Sequence, residues 1–231
     1  MVIPVYNSAE TLRPLLRELT GFFERNALSY EVIMVDDGSE DDSWGQICQL
    51  KTECPVLTGI KLRQNSGQHP ATFLGGQMAQ GKWVITLDDD LQVAPQEIGG
   101  LIRKQAQTNA TIVYGYYPEK KHSFLRNKSS NWFNVLLRIR YSYEYSVSSF
   151  RLIKKDLFPP LSTPFTERLL ELFLLKKTPY IGFAAIKHQD RKIGKSGYHW
   201  GKLFQLFFWV LMDVLRLPSF YKKRFEIAEK L

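Results

Sequence analysis

The sequence predicts an α/β fold in which a Rossmann-like, mostly parallel sheet carries helices on both faces, with amphipathic helices at the carboxyl end. Through residues 1–116, short β-branched runs alternate with stretches of helical apolar spacing. Polar clusters follow three of these runs, as expected at the carboxyl ends of parallel strands. The 231 residues are 44% hydrophobic and 23% charged, a composition that can bury a core without disulfides or a structural metal.

The first strand and helix have the clearest pattern. Residues 2–5 form a short apolar run rich in β-branched residues, and Ser8 suits the N-cap of the helix that follows. The apolar residues of this helix recur at helical spacing: Leu12, Leu15, Leu16, Leu19 and Phe23. The later elements of this half are predicted in this order: strand 31–35, helix 43–51, strand 56–62, helix 70–80, strand 83–87, a helix after Pro95, and strand 111–114.

Residues 117–231 follow a less regular pattern. The segment 117–130 is polar and basic and predicts a loop. The remaining elements are predicted in this order: helix 132–140, strand 150–153, helix 167–175, strand 180–187, and helices 200–215 and 219–230. The longest apolar run, 206–212, is far shorter than the roughly 20 residues of a membrane span, and no signal peptide is visible, so we expect no transmembrane helix.

The charge is divided unevenly along the chain. The formal net charge is +8, which by itself suggests nucleic acid, a membrane surface or a phosphorylated substrate as partner. However, residues 1–116 hold 9 Lys/Arg and 14 Asp/Glu, whereas residues 117–231 hold 22 and 9. An acidic half and a basic half need separate explanations. Cys48 and Cys54 match neither a redox pair nor a zinc-ligand spacing.

The three polar clusters are the main sign of function. Tyr6-Asn7, residues 36–39 (Asp-Asp-Gly-Ser) and residues 88–90 (Asp-Asp-Asp) each follow a predicted strand. In an open parallel sheet, such clusters lie along one edge, where ligands bind. Three adjacent carboxylates repel one another and call for a cation, and hard oxygen ligands suit Mg²⁺ or Mn²⁺ bound together with substrate phosphates. A solvated acidic turn is the alternative.

Two phosphate-binding motifs are excluded. Residues 194–196 (Gly-Lys-Ser) resemble the end of a P-loop, but Gln189 stands where that motif needs glycine. A G-x-G-x-x-G motif is absent as well. An ATPase or a dinucleotide-dependent dehydrogenase is therefore disfavoured.

Together, five ordered motifs resemble glycosyltransferase family 2, which has the GT-A fold. They are residues 4–7 (Pro-Val-Tyr-Asn), 35–39 (Val-Asp-Asp-Gly-Ser), 62–68 (Leu-Arg-Gln-Asn-Ser-Gly-Gln), 88–92 (Asp-Asp-Asp-Leu-Gln) and 191–198 (Arg-Lys-Ile-Gly-Lys-Ser-Gly-Tyr). With residues 150–152 (Phe-Arg-Leu), the last motif is similar to the branch of dolichol-phosphate mannose synthase and bacterial polyprenyl-phosphate glycosyltransferases.

The resemblance implies a role for particular residues. The nucleotide is expected to bind to Pro4, Tyr6, Asn7, Glu10, Asp36, Asp37, Asn65, Gly67, Asp88 and Asp89. The Mg²⁺ or Mn²⁺ ion is expected to bind to Asp88, Asp90 and Gln92. The residues expected to act in catalysis, on the metal or on the phosphates of donor and acceptor, are Asp90, Arg151, Arg191 and Ser196.

The chain also departs from the family pattern. Relatives usually have a small residue where Asp89 stands, which leaves open which of the three aspartates binds the metal. Gly197 stands where many relatives have lysine, and Lys195 could supply that charge. The Q-x-x-R-W motif of processive synthases is absent, so chain polymerisation is not expected.

The resemblance implies a domain division. A glycosyltransferase domain would cover residues 1–198, with a nucleotide-binding half (1–116) and an acceptor half (117–198). Residues 199–231 would form interfacial or oligomerisation helices. The aromatic segment 199–217 suits a helix at a membrane surface, although a helix packed on the core or in a homo-oligomer interface has the same pattern. The four histidines show no metal-ligand spacing and are expected to be structural or solvent-facing.

The leading hypothesis is a metal-dependent, inverting glycosyltransferase of cell-envelope biosynthesis, located on the cytoplasmic face of the membrane. It would move one sugar from a UDP-, GDP- or dTDP-linked donor to a polyprenyl phosphate or related membrane-linked acceptor, with no nucleic-acid partner. A second hypothesis uses a saccharide hydroxyl as acceptor, with Glu167 or Glu171 as base, although both are expected to be solvated charges on a helix. A third is a basic membrane- or nucleic-acid-binding module with a vestigial site.

Overall fold

The computed structural model describes residues 1–118, 141, 145, 147–187, 189, 208, 211, 212, 215 and 221–231. In these residues a single eight-stranded sheet has the strand order β7-β5-β6-β4-β1-β2-β3-β8. The strands are β1 (Val2–Val5), β2 (Val32–Asp36), β3 (Leu57–Leu62), β4 (Trp83–Thr86), β5 (Ile112–Tyr116), β6 (Arg151–Lys154), β7 (Ile181–Ala185) and β8 (Ile227–Lys230).

The described helices alternate with the strands in the first half of the chain, as predicted. They are α1 (Ala9–Arg25), α2 (Ser43–Glu53), α3 (Gln68–Met78), α4 (Ile98–Thr108) and α5 (Leu170–Lys177), with short 3₁₀ turns at Pro95–Glu97 and Lys155–Leu157. Within the described part of the chain, no helix is both long and apolar enough to cross a membrane.

The sheet is mostly parallel, which confirms the predicted fold class. Parallel pairing joins β1 to β2 and β4, β2 to β3, and β5 to β7. The exceptions are β6, antiparallel to both β4 and β5, and β8, antiparallel to β3. The carboxyl ends of β1, β2 and β4 therefore meet at one edge of the sheet, and that edge carries the three polar clusters.

Helices cover both faces of the sheet, and strand alternation explains why. In β1, Ile3 and Val5 belong to a buried cluster with residues of α1, α2 and α4, whereas Val2 belongs to a second cluster with residues of α3 and α5. In β2, Met34 faces the first cluster and Val35 the second. Because successive side chains point to opposite faces, fully apolar central strands need a helix layer on each side.

The predicted helix over 219–230 is wrong, because the chain ends in β8, paired antiparallel with β3. From Tyr221 to Ile227, partly buried and exposed residues alternate one by one, which is the period of a strand. Phe225 and Ile227 pack against the second core cluster. The predicted loop 117–130 and the predicted helices 132–140 and 200–215 lie almost wholly outside the described residues, and the division at residue 198 stays a prediction.

Two helical glycines give a matched test of this packing. A Cβ on Gly75 of α3 would overlap the Val2 side chain of β1, whereas a Cβ on Gly100 of α4 would meet no atom within 4 Å. We expect Gly75→Ala to lower the free energy of unfolding by about 1–3 kcal/mol through overpacking. Gly100→Ala should raise it by up to about 1 kcal/mol, because alanine favours the helix. Urea denaturation measures both, and a destabilisation of equal size at the two sites would contradict the packing described.

Candidate active site

The loops after β1 and β2 are hydrogen-bonded to each other. The Asn7 amide, at a left-handed φ of 53°, donates to Ser39 Oγ at 3.0 Å, and Asn7 Oδ1 accepts from the amide of Glu40 at 2.8 Å. Tyr6 is 44% exposed beside them. Pro4 is buried within β1 opposite Val35. The exposed Tyr6 thus stands beside this edge of the sheet, and we call the space over the edge, between the loops that follow its strands, the cleft.

Asp36 is a fully buried carboxylate at the end of β2. Its Oδ1 accepts the amide of Ser39 at 3.2 Å, and burial raises the pKa of the group. Among the described residues, Asp36 Oδ2 has no hydrogen-bond partner. A buried polar atom usually finds a partner, and the described residues supply none to this oxygen.

Asp37 holds the loop between β3 and α3. Its two oxygens accept the backbone amides of Ser66 and Gly67, each at 2.7 Å. Burial raises the pKa of Asp37 to about 6, although these two hydrogen bonds oppose the shift. The loop also passes so close to Gly38 (φ 71°) that a Cβ there would lie 2.8 Å from the Asn65 amide. Asp37 and Gly67 therefore build the wall of the cleft, with Asn65 exposed on it.

The aspartates after β4 face this cleft. Asp88 accepts hydrogen bonds on both oxygens, from Gln68 Nε2 at 2.5 Å and from Ser149 Oγ at 2.6 Å. Asp89 Oδ2 accepts the amide of Tyr6 at 3.3 Å, which joins the third cluster to the first. Asp90 Oδ1 accepts the amide of Gln92 at 3.1 Å. The structure thus brings the three predicted clusters together.

The electrostatics of this edge favour a bound cation. Burial raises the pKa of Asp88 and takes that of Asp89 to about 6, and in both cases a neighbouring carboxylate adds to the shift. No group of three His, Cys, Asp or Glu residues that could by itself enclose a metal occurs in the part of the chain described. Such an open set of hard oxygen donors fits Mg²⁺ or Mn²⁺ completed by substrate phosphates and water. The residues present therefore fit the predicted ion.

The second half of the chain returns to this edge after β7. The amide of Gln189 donates to the carbonyl of Gln92 at 2.8 Å, and Gln92 Nε2 donates back to the Gln189 carbonyl at 3.4 Å. Arg191 and Ser196 follow within a few residues but lie outside the described part of the structure, so their roles stay predictions. Glu10 is exposed in the first turn of α1.

Arg151 lies in β6 and is 2% exposed. Its Nη1 donates to Glu171 Oε1 at 2.7 Å, and its Nε donates to Thr86 Oγ1 at 3.2 Å. His69 Nδ1 lies 3.3 Å from the other carboxylate oxygen of Glu171. The predicted contact of Arg151 with phosphates remains a prediction, whereas the structure shows the guanidinium paired inside the protein.

The description of the two glutamates as solvated helix charges was wrong. Glu171, in the first turn of α5, is buried, with 8% of its side chain exposed. Burial is the largest single effect and opposes its ionisation, but the charge of Arg151 and the smaller contributions of His69 and two hydrogen bonds together lower the pKa of Glu171 to about 2. Glu167 precedes α5 rather than lying on it and pairs with Lys176 at 2.9 Å. Arg151 precedes Glu171 by 20 residues and Lys176 follows Glu167 by nine, and neither separation is the three or four residues of a helical pair, so helical spacing does not identify these partners.

Sequence reasoning also missed three residues that shape the cleft. Gln68 was recognised only as the end of a motif, and nothing in the local pattern around Ser149 points to Asp88. Tyr117 is the third, because it is close enough to Asp88 and Asp90 for their charges to add to the effect of burial and raise its pKa. Only the position of Gln68, just after Gly67 at the start of a helix, carried a signal.

Comparison with known proteins gives a consistent result. The family model described as "Glycosyl transferase family 2" matches residues 1–169. The chain is 29% identical over 225 residues to the undecaprenyl-phosphate 4-deoxy-4-formamido-L-arabinose transferase of Sodalis glossinidius (strain morsitans), covering 90% of this chain. The chain spans 65% of that relative's length.

Solved structures share the fold. Mannosyl-3-phosphoglycerate synthase of Rubrobacter xylanophilus has a TM-score of 0.68 at 18% identity, covering 93% of this chain and 72% of the other. Glucosyl-3-phosphoglycerate synthase of Mycobacterium tuberculosis, in complex with Mn²⁺ and UDP-glucose, has a TM-score of 0.68 at 14% identity, covering 95% and 79%.

The raised carboxyl pKa values predict how cation binding depends on pH. Asp89, with a pKa of about 6, takes up a proton as the pH falls from 7 to 5, so its negative charge is lost over a range in which ordinary carboxylates stay ionised. The affinity for Mn²⁺ alone, measured from the free-ion electron paramagnetic resonance signal, should fall about tenfold over this range. Asp89→Asn should make this dependence on pH weaker, and the raised pKa of Asp88 accounts for what remains. A wild-type affinity for Mn²⁺ that is constant from pH 7 to 5 would contradict the placement of the ion beside Asp89.

Proposed function

The chain belongs to glycosyl transferase family 2, whose model matches residues 1–169, and from this we propose that it is a metal-dependent, inverting glycosyltransferase. It transfers one sugar from a nucleotide-sugar donor to a polyprenyl phosphate or a related membrane-linked acceptor. The observation that carries the proposal is the cleft at the carboxyl edge of the sheet, where the three polar clusters converge.

The cleft supports a nucleotide-sugar donor. Tyr6 offers an exposed ring at its rim, and Asp36 Oδ2 offers a buried acceptor for a donor group of the base or ribose. The structural neighbour crystallised with Mn²⁺ and UDP-glucose has the same fold. UDP-, GDP- and dTDP-linked sugars remain the candidate donors.

Asp88, Asp90 and Gln92 would hold the Mg²⁺ or Mn²⁺ ion against the donor diphosphate. The bound ion would supply neutralisation of the charge that develops on the leaving nucleoside diphosphate. Asp89 adds negative charge beside these residues and ties them to Tyr6 through its hydrogen bond to the Tyr6 amide. Arg191 and Ser196 would approach the same diphosphate, since Gln189 is bonded to Gln92.

The two glutamates considered as base for a hydroxyl acceptor are both engaged elsewhere, which favours a phosphate acceptor. A hydroxyl nucleophile needs a general base, whereas a phosphate monoester with a second pKa near 6 is already anionic at neutral pH. Glu171 is a weak base because its pKa is about 2 and Arg151 engages it. Glu167 is occupied by Lys176. Direct attack of a phosphate oxygen on the anomeric carbon, with departure of the nucleoside diphosphate, inverts the configuration in a single displacement.

The basic half of the chain supports an anionic, membrane-linked acceptor. Lys222 and Arg224 are exposed in the segment leading to β8 and can meet an anionic surface. The curated relative that shares 29% identity is named for a transfer to undecaprenyl phosphate. We therefore place the protein at the cytoplasmic face of the membrane as a peripheral enzyme, with segment 199–217 at the interface. A nucleic-acid-binding module would have no use for the carboxylates that line the cleft.

Isothermal titration with UDP, GDP and dTDP, with and without Mn²⁺, tests the donor site. We expect Mn²⁺ to strengthen the binding of at least one nucleotide. Asp90→Ala should reduce that enhancement at least about tenfold, because even the loss of a residue that only supports a metal ligand commonly costs this much affinity. The matched control is Asp156→Ala, because Asp156 is an exposed aspartate paired with Lys154 beyond the opposite end of β4. If Mn²⁺ changes the affinity of the wild type for none of the three nucleotides, the proposal is contradicted.

A further inference from the structure

Stability alone does not account for the buried pair of Arg151 and Glu171. The two side chains are 2% and 8% exposed, and their Nη1–Oε1 distance is 2.7 Å. Replacing a buried ion pair by apolar side chains of similar volume is often neutral or stabilising, because the pair loses its hydration. A pair of this kind is better explained by what it holds in place. His69 adjoins this pair, since its Nδ1 lies 3.3 Å from Glu171 Oε2, but no hydrogen bond joins these two atoms, and burial lowers the pKa of His69. We call the three residues the buried ion cluster.

Two members of the buried ion cluster adjoin the hydrogen-bond donors of Asp88. His69 follows Gln68 in the first turn of α3, and the side-chain Nε2 of Gln68 donates to Asp88 Oδ1 at 2.5 Å. Arg151 begins β6 two residues after Ser149, whose hydroxyl donates to Asp88 Oδ2 at 2.6 Å. The two sides of the Asp88 carboxylate are thus held by segments that the buried ion cluster joins.

A third connection runs through β4, the strand that precedes Asp88. Thr86 lies opposite Arg151 in the β4–β6 ladder, and its hydroxyl accepts a hydrogen bond from Arg151 Nε at 3.2 Å. The same hydroxyl donates to the carbonyl of Ser149. These hydrogen bonds close a ring that runs from Asp88 through Gln68, the buried ion cluster and Thr86 to Ser149, and back to Asp88. Two of its steps are not hydrogen bonds, namely the peptide link from Gln68 to His69 and the 3.3 Å approach of His69 to Glu171.

We propose that Glu171 is a positioning residue for donor binding: through Arg151 and His69 it holds Gln68 and Ser149 on Asp88, and so orients this carboxylate toward the metal–diphosphate. Glu171 reaches neither donor nor metal itself. The inference rests on the proposed function in one respect, the assignment of Asp88 to the metal and nucleotide. Hydrogen-bonded carboxylate ligands depend on such outer partners, whose loss commonly reduces metal affinity 10- to 100-fold.

The test uses a variant that keeps the fold. Glu171→Gln alone leaves a buried, unpaired guanidinium and destabilises the protein, so the variant of choice is the double substitution Arg151→Met with Glu171→Leu. The matched control is Glu53→Gln, which breaks an exposed Arg13–Glu53 pair of 2.6 Å on the outer surface of α1 and α2. Thermal unfolding verifies that both variants fold. Calorimetry then measures the affinity for the nucleoside diphosphate with and without Mn²⁺.

We expect the Mn²⁺-dependent enhancement, the ratio between the affinities with and without Mn²⁺, to fall at least about tenfold in the double variant. A merely structural role, or the loss of a phosphate contact of Arg151, would lower both affinities by the same factor. An enhancement equal to that of the wild type in the folded double variant therefore overturns the inference. Glu53→Gln should match the wild type.

A second measurement is independent of the metal. Amide hydrogen exchange of residues 87–92 in the free protein should be faster in the double variant than in Glu53→Gln, because Asp88 is released. Equal exchange overturns the inference. A wild type without any Mn²⁺ enhancement contradicts the proposed function instead, and the exchange measurement still decides the positioning role.

Discussion

Carboxylates crowded at one partly desolvated sheet edge are the constraint on which the rest of the site depends. Burial raises the pKa of Asp36, Asp37, Asp88 and Asp89 alike, so each costs free energy when ionised. Each is partly compensated by neutral donors that come from elsewhere in the chain, namely Ser39, Ser66, Gly67, Gln68, Ser149 and the amide of Tyr6. The loops around the cleft are ordered by these hydrogen bonds, and a cation with a diphosphate would complete the compensation.

The uneven charge of the chain has a more specific meaning in the structure than in the sequence. The acidic half concentrates its carboxylates at the donor edge. The basic half does not present all of its charge to an acceptor, because Arg151 is neutralised internally by Glu171. The exposed cations available to an anionic surface include Lys222 and Arg224, and β8 brings that segment back beside β3.

Local patterns predicted most of the fold, and non-local contacts account for what they missed. The elements of residues 1–116 were placed to within about two residues because hydrophobic period and turn residues are local signals. The strand β8 was read as a helix because its partner β3 lies more than 150 residues away and no short-range pattern identifies it. Glu171 was read as solvated because helical spacing cannot show that Arg151 lies buried beside it. The cleft itself was predictable, since the ends of parallel strands share one edge. Its support by Ser149 was not, and Gln68 was recognised only as the end of a motif.

The most direct test of the central claim is a transfer assay read by mass spectrometry. The protein is incubated with Mn²⁺, polyprenyl phosphate in detergent micelles, and UDP-, GDP- and dTDP-linked sugars in turn. The account predicts that with at least one donor the lipid gains the mass of a single sugar as the nucleoside diphosphate is released. Unchanged lipid with every donor, together with sugar transfer to a saccharide acceptor, would contradict it.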